Sequence, residues 1–171
     1  EPDFDLDLMR DGQLPGELGA AVLAGLAPVL DEVAPDLVLV HGDTTTSMAA
    51  ALAAFYAAIP IGHVEAGLRS RSLSAPFPEE LNRRVTTLAS QYHFAPTPTS
   101  RDNLLGEGCD PARIHVTGNT GVDAIERTAA RLDADPALAA RVARELDAAL
   151  GFDWRHERFV LVTCHRRESF G

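Results

Sequence analysis

Two periodicities alternate along this chain, and that alternation constrains its fold more than any other feature. Leu18–Val33 places Leu23, Leu26 and Leu30 at helical spacing and is stopped by Pro35. Leu37-Val-Leu-Val40 is a short continuous apolar run, the pattern of a strand covered on both faces. The pattern then recurs. An alanine-rich helix runs from Thr44 to about Ala58, a strand over Ile59–Val64, a helix from Pro76 to about Ser90 with Pro78 at its first position, and a strand over Tyr92–Ala95. Thr97-Pro98 caps a helix through Leu105, a fourth strand covers Arg113–Thr117, a helix opens at Gly118, and another spans Asp135–Leu150. Phe159-Val-Leu-Val-Thr163 reads as a further strand. Such β-α alternation predicts an α/β fold with a parallel sheet.

Open parallel sheets bind ligands outside the carboxyl ends of their strands. That rule singles out His41-Gly-Asp43, Glu65, Gly118-Asn119 and His165-Arg166-Arg167, each directly after a predicted strand. Asp43 is either the N-cap of the following helix or a carboxylate held at the crevice, and both can hold together. Glu65 follows Ile-Gly-His-Val and precedes Ala-Gly, so it is either a solvated loop carboxylate or, if partly buried, a group suited to carrying protons near neutral pH. Glu79 and Glu80 fall in a first helical turn, with Arg83 and Arg84 four residues on from each, the spacing of surface ion pairs. Adjacent residues cannot share a helix face, so one glutamate can point to the crevice and the other to solvent.

The run His165-Arg-Arg-Glu168 suits either a diphosphate site or a salt-bridge cluster between domains. His63, His93 and His115 sit within strands beside apolar residues and read as packing histidines. Gly118-Asn-Thr-Gly121 lacks the spacing of a dinucleotide fingerprint and reads as a strand-to-helix turn.

Charge and composition narrow the chemistry. With 25 acidic against 15 basic residues and a net charge of −10, the chain is expected to bind no nucleic acid through its backbone phosphates. All the basic residues are arginine, so proton transfer within this segment falls to carboxylates and histidine, and phosphate binding to arginine. Cys109 and Cys164 match neither a disulfide framework nor a zinc site, and no His/Asp/Cys group has metal-ligand spacing, so no metal is expected. The longest apolar stretch, Met48–Gly62, is broken by Pro60 and too short for a span. A soluble, cytoplasmic protein without membrane insertion is the expectation.

Five segments in order, His41-Gly-Asp-Thr-Thr-Thr46, His63-Val-Glu-Ala-Gly-Leu-Arg69, Pro78-Glu-Glu-x-Asn-Arg83, Thr117-Gly-Asn-Thr120 and His165-Arg-Arg-Glu-Ser-Phe-Gly171, resemble the non-hydrolysing UDP-N-acetylglucosamine 2-epimerase family. The resemblance covers nearly the whole chain. It implies a Rossmann-like parallel sheet forming part of a two-domain GT-B-like fold, of which this chain is a fragment. Residues 1–150 would belong to the first Rossmann-like domain, 151–158 to a linker, and 159–171 to the first strand and loop of the second, nucleotide-binding domain. The family's glycine-rich first strand and loop would lie ahead of Glu1, and most uridine contacts beyond Gly171.

The resemblance further implies reversible epimerisation at C2 of UDP-GlcNAc to UDP-ManNAc, by elimination and re-addition of UDP, with no cofactor, in cell envelope polysaccharide biosynthesis. Matched residue by residue, Asp43, Glu65, Glu79 and His165 are catalytic candidates. Asp43, Glu65 and His165 also contact substrate, and Arg166 joins them on grounds of charge. The partners implied are UDP-GlcNAc, UDP-ManNAc and UDP, together with a homodimer in the full-length form. Alternatives are a hydrolysing epimerase that releases ManNAc and UDP, a GT-B glycosyltransferase domain, and an inert truncated domain.

Overall fold

The computed structural model describes residues 2–163, which divide between two compact units, one up to Asn119 and one from Thr120. The first unit carries α1 (Pro15–Val33), β1 (Val38–His41), α2 (Thr45–Tyr56), β2 (Ile61–Val64), α3 (Glu79–Ala89), β3 (Tyr92–Ala95), α4 (Pro98–Gly106) and β4 (Ile114–Val116). The four strands form one parallel sheet in the order β1-β2-β3-β4. This is the parallel α/β arrangement that the alternation predicted.

Register places Val40, His63, His93 and Ile114 in one row across the sheet. All four are buried, so a row that is apolar at both edges carries two histidines at its centre. Helix α2 packs against α1, α3 and β1, and its buried residues are Ala49, Ala51, Ala53 and Ala54. Methyl side chains let three neighbours approach one helix closely; each larger apolar residue they seat, such as Val40 or Ile61, contributes about 1.5–3 kcal/mol of burial. The helix starts follow side-chain chemistry, because the Thr97 and Thr44 oxygens accept the backbone N–H of Ser100 and Ser47.

Gly67, just after β2, has φ +87°, and a Cβ there would lie 2.2 Å from the Ser100 carbonyl oxygen. Only glycine lets this loop close onto α4.

The second unit is described by itself. Helices α5 (Thr120–Ala134) and α6 (Pro136–Ala149) are separated by Asp135, which caps α6 by accepting from the N–H groups of Ala137 and Leu138. Arg155 lies over the Trp154 ring at 4.4 Å. The run 159–163, expected as a strand, forms none, and Val160 and Leu161 are 87% and 80% exposed. An apolar run becomes a strand only where another strand satisfies its backbone groups, and this unit has none among the described residues.

Candidate active site

Three elements converge at the carboxyl end of β1 and β2. The first is the turn His41-Gly42-Asp43-Thr44. Thr44, not Asp43, caps α2, which frees the Asp43 carboxylate from the capping role that its position suggested. Gly42 has φ +75°, and a Cβ at this position would lie 3.4 Å from Glu65 Oε2. Glycine therefore provides both the left-handed backbone and the room that brings Glu65 against the turn.

Glu65 itself has φ 67°, a left-handed conformation uncommon for a side-chain-bearing residue. Its carboxylate is 30% exposed and lies 3.6 Å from His41 Nε2. The strained backbone turns the chain sharply at the end of β2 and leaves the side chain at the sheet rim.

The third element is the start of α3, where the two glutamates separate differently from the expected pattern. Glu80 turns inward and is fully buried. Its Oε2 accepts from the Ser70 N–H at 2.9 Å and from Arg83 Nη1 at 3.0 Å, while Oε1 accepts from Arg84 Nε at 3.1 Å. Burial pushes this carboxyl up, but the Ser70 N–H, Arg83, Arg84 and the more distant Arg69 outweigh it and hold Glu80 below its ordinary value. Glu79 is half-buried, and its Oε2 is buried with no hydrogen-bond partner. A buried carboxylate oxygen left without a donor is uncommon and marks Glu79 as a group the fold itself does not satisfy. Pro78, expected at the first helical position, is instead the residue before it.

Arg83 does not pair with Glu79 as a surface i,i+4 partner. It reaches Asp43, with Nε and Nη2 at 3.0 and 2.6 Å from Oδ2, while its third nitrogen holds Glu80. Only 13% of the Arg83 side chain is exposed. Asn82 completes the tie from α3 by donating to the Asp43 backbone carbonyl at 2.9 Å. Of the two ion pairs expected from spacing, Glu80–Arg84 forms, though around a buried carboxylate, whereas Arg83 joins a largely buried network that ties α3 to the β1 turn.

His63 is buried, as expected of a packing histidine, but it also bonds to the site: its Nε2 lies 2.8 Å from the Gly42 carbonyl oxygen. Burial chiefly, then His93 and Arg69, lower its pKa to about 4, against the opposing pull of the Gly42 bond and Asp43. His93 is buried too, whereas His115, also expected inside, is exposed and stacks on Phe94. Its strand β4 has a paired neighbour on one side only.

The structure therefore brings the Asp43 turn and Glu65 to one rim and ties α3, which begins at Glu79, to that turn through Asn82 and Arg83. His165 and Arg166 lie outside the described residues. Spacing pairs Glu79 with Arg83 and Glu80 with Arg84 and gives Asn82 no role; the signal available for the Asp43 contacts was the density of polar residues on α3, whose buried set is Glu80, Asn82, Thr86, Thr87 and Ala89. No group of three or more His, Cys, Asp or Glu among the described residues could hold a metal ion. Nor is any described helix long and apolar enough to cross a membrane.

The family model for UDP-N-acetylglucosamine 2-epimerase matches residues 1–171. The chain belongs to this family. It is 51% identical over 171 residues to the UDP-N-acetylglucosamine 2-epimerase of Yersinia pestis, matching all of this chain and 44% of that protein. To the Escherichia coli (strain K12) enzyme of the same name it is 49% identical over 170 residues, 99% of this chain and 44% of that protein. The epimerase-family chain thus spans a little under half the length of these curated relatives.

The crystal structure of UDP-GlcNAc 2-epimerase from Neisseria meningitidis bound to UDP-GlcNAc superposes with a TM-score of 0.89 at 43% identity, over 100% of this chain and 45% of that one. The Methanocaldococcus jannaschii enzyme in complex with UDP-GlcNAc and UDP gives 0.76 at 38% identity, over 82% and 38% of the two chains. Both likenesses extend the family's Rossmann-like fold to this chain.

Proposed function

We propose that the protein carrying this chain is a non-hydrolysing UDP-GlcNAc 2-epimerase, interconverting UDP-GlcNAc and UDP-ManNAc. The observation that supports this reading is the meeting of the Asp43 turn and Glu65 at one sheet rim, with α3, which begins at Glu79, tied to that turn, in a family whose solved members include one bound to UDP-GlcNAc. Two proton transfers, one on each face of C2, need more than one carboxylate in reach of the sugar.

In the forward direction the C1–O bond to UDP breaks, UDP leaves with the bonding electron pair, and a base takes the C2 proton. The products are 2-acetamidoglucal and UDP. A proton then returns to C2 on the opposite face and UDP re-adds at C1, so the net reaction is balanced without an oxidant or reductant. Glu79, with its undonated oxygen, and Glu65, at the turn, are the candidates for moving protons. Asp43 is held by Arg83 and serves best as a fixed negative charge and hydrogen-bond acceptor for the sugar. His165 and Arg166 are proposed to meet the departing diphosphate.

Residues 1–150 are read as part of a first lobe, 151–158 as a connection, and 159–171 as the opening of a second, nucleotide-binding lobe. A homodimer is proposed for the full-length form. In the intact protein, amide replacement of Glu65 or Glu79 is expected to lower turnover at least about 100-fold, within the usual range for general acid-base groups, and that of Asp43 by a similar factor through loss of its fixed charge. Incorporation of solvent deuterium at C2 of recovered UDP-sugar tests the chemistry. Accumulation of free ManNAc would replace this reading with a hydrolysing one.

A further inference from the structure

We propose that His63 is a positioning residue for Asp43, acting through a single hydrogen bond from its Nε2–H to the carbonyl of Gly42. The inference rests on the reading of Asp43 as part of the catalytic rim. His63 lies on β2, in register with Val40 of β1, one step before the β1 strand ends and the Asp43 turn begins. Its Nε2 is 2.8 Å from the Gly42 carbonyl oxygen. A carbonyl only accepts, so Nε2 must carry the proton, and the ring is the Nε2–H tautomer. Nδ1 is then bare, and it is buried with no hydrogen-bond partner.

That bond reaches a short stretch of backbone that is held from three directions. The Gly42 N–H donates to the Val64 carbonyl at 3.0 Å, the Gly42 carbonyl accepts from His63, and the Asp43 carbonyl accepts from Asn82 at 2.9 Å. Gly42, at φ +75°, has no side chain to hold it in place, so these bonds set the direction in which the next residue leaves the sheet. The side chain that leaves is Asp43, 2.6 Å from Arg83, and it follows the glycine at which an added Cβ would lie 3.4 Å from Glu65 Oε2. Glu65 follows two positions after His63, directly beyond the end of β2, so one brace ties the Asp43 turn to the strand that delivers the second carboxylate. Loss of the bond frees the Gly42 peptide to rotate, and displacements of about 1 Å at such a group can cost about 100-fold in rate.

A protonated ring would still donate through Nε2, so the brace itself does not depend on protonation. The charged and titratable groups around His63 are His93 on β3, Arg69 in the loop after β2, and Asp43 in the turn, with Arg83 reaching that turn from α3.

The test compares His63→Gln, whose side-chain amide reaches about as far as Nε2 and can donate to Gly42, with His63→Leu, which fills the space without a donor. Both are made in the intact protein and assayed with UDP-GlcNAc, beside the parent and Asp43→Asn. The expected result is a kcat within about 5-fold of the parent for His63→Gln, and a loss of about 10- to 100-fold for His63→Leu with KM moved less than about 3-fold. Equal losses in the two variants, or no loss in either, would overturn the inference while a dead Asp43→Asn left the proposed function standing. Full turnover by Asp43→Asn would instead sink the role of Asp43. Should His63→Leu not fold, two measurements still decide: the kcat of His63→Gln, and ¹⁵N NMR of the parent ring. An Nε2–H tautomer at neutral pH supports the brace, and an Nδ1–H tautomer overturns it.

Discussion

Replacing Glu80 by glutamine separates a surface ion pair from a buried network. The carboxylate is fully buried and accepts from the Ser70 N–H, Arg83 and Arg84. Glutamine keeps one oxygen, which at the Oε2 position serves both the Ser70 N–H and Arg83, but it presents an amide NH₂ where Arg84 donates and leaves that buried NH₂ unpaired. Arg84 is 45% exposed and can turn to water, so its loss is small. Arg83 shares Oε2 with the Ser70 N–H and keeps an acceptor, but a neutral one, so its bond weakens from charge-assisted strength to that of an ordinary hydrogen bond, a loss of about 1 kcal/mol. Adding the unpaired donor gives about 2–4 kcal/mol, somewhat below the roughly 3–5 kcal/mol of a wholly buried pair broken on one side.

For a unit the size of Glu1–Asn119 that is a fall in Tm of about 8–16 °C, read by circular dichroism at pH 7. The deficit has a pH signature. Because the folded-state pKa of Glu80 lies below the ordinary value of 4.5, its stabilisation is present in full above that value and is lost as the pH falls through the lower, folded-state pKa. Parent and variant stabilities should therefore run parallel at neutral pH and converge in acid. A melt within about 2 °C of the parent at pH 7, the result expected of a surface pair worth 0–1 kcal/mol, would refute the reasoning, as would a deficit that stayed constant down to pH 3.

His63 provides a second pH effect with the same sign. Its pKa falls from 6.5 to about 4 on folding, so the unfolded chain takes up a proton that the folded one refuses, and stability drops as the pH is lowered from 6.5 towards 4, by about 3 kcal/mol at most. Urea midpoints at pH 7 and pH 5 should show that slope in the parent and a shallower one in His63→Gln. Arg83→Lys keeps the charge but cannot fork between Asp43 and Glu80; it should lower kcat at least about 10-fold and destabilise by about 1–2 kcal/mol, measured by steady-state kinetics and thermal melts. Gly67→Ala would drive a methyl group into the Ser100 carbonyl and should cost about 2–4 kcal/mol in denaturant titration. Thr97→Ala removes the cap of α4 and should cost about 1 kcal/mol by the same measure.

Local chemistry was legible in the sequence. The apolar runs at Leu37–Val40 and Tyr92–Ala95, the Thr97-Pro98 cap and the helix beginning near Asp135 all mark structure that forms where expected, because strand burial and helix capping act over a few residues. The rule that ligands meet the carboxyl ends of parallel strands also located Asp43 and Glu65 at the rim. Where that local rule needed a distant partner, it failed. Phe159–Thr163 is as apolar as any strand, yet it forms none, since pairing belongs to a neighbour and not to the run itself.

What only the tertiary structure decided was the direction of each polar side chain. Thr44 and Asp43 are both good caps, and Glu79 and Glu80 are the same residue type one step apart. The order of β1 and β2 and the tie of α3 to the turn after β1 turned Glu80 inward and sent Arg83 across to Asp43. Those outcomes rest on bonds spanning ten residues from Ser70 to Glu80, and about forty from Asp43 to Arg83. No window of sequence contains such a bond, because its energy exists only once the sheet has brought the two ends together.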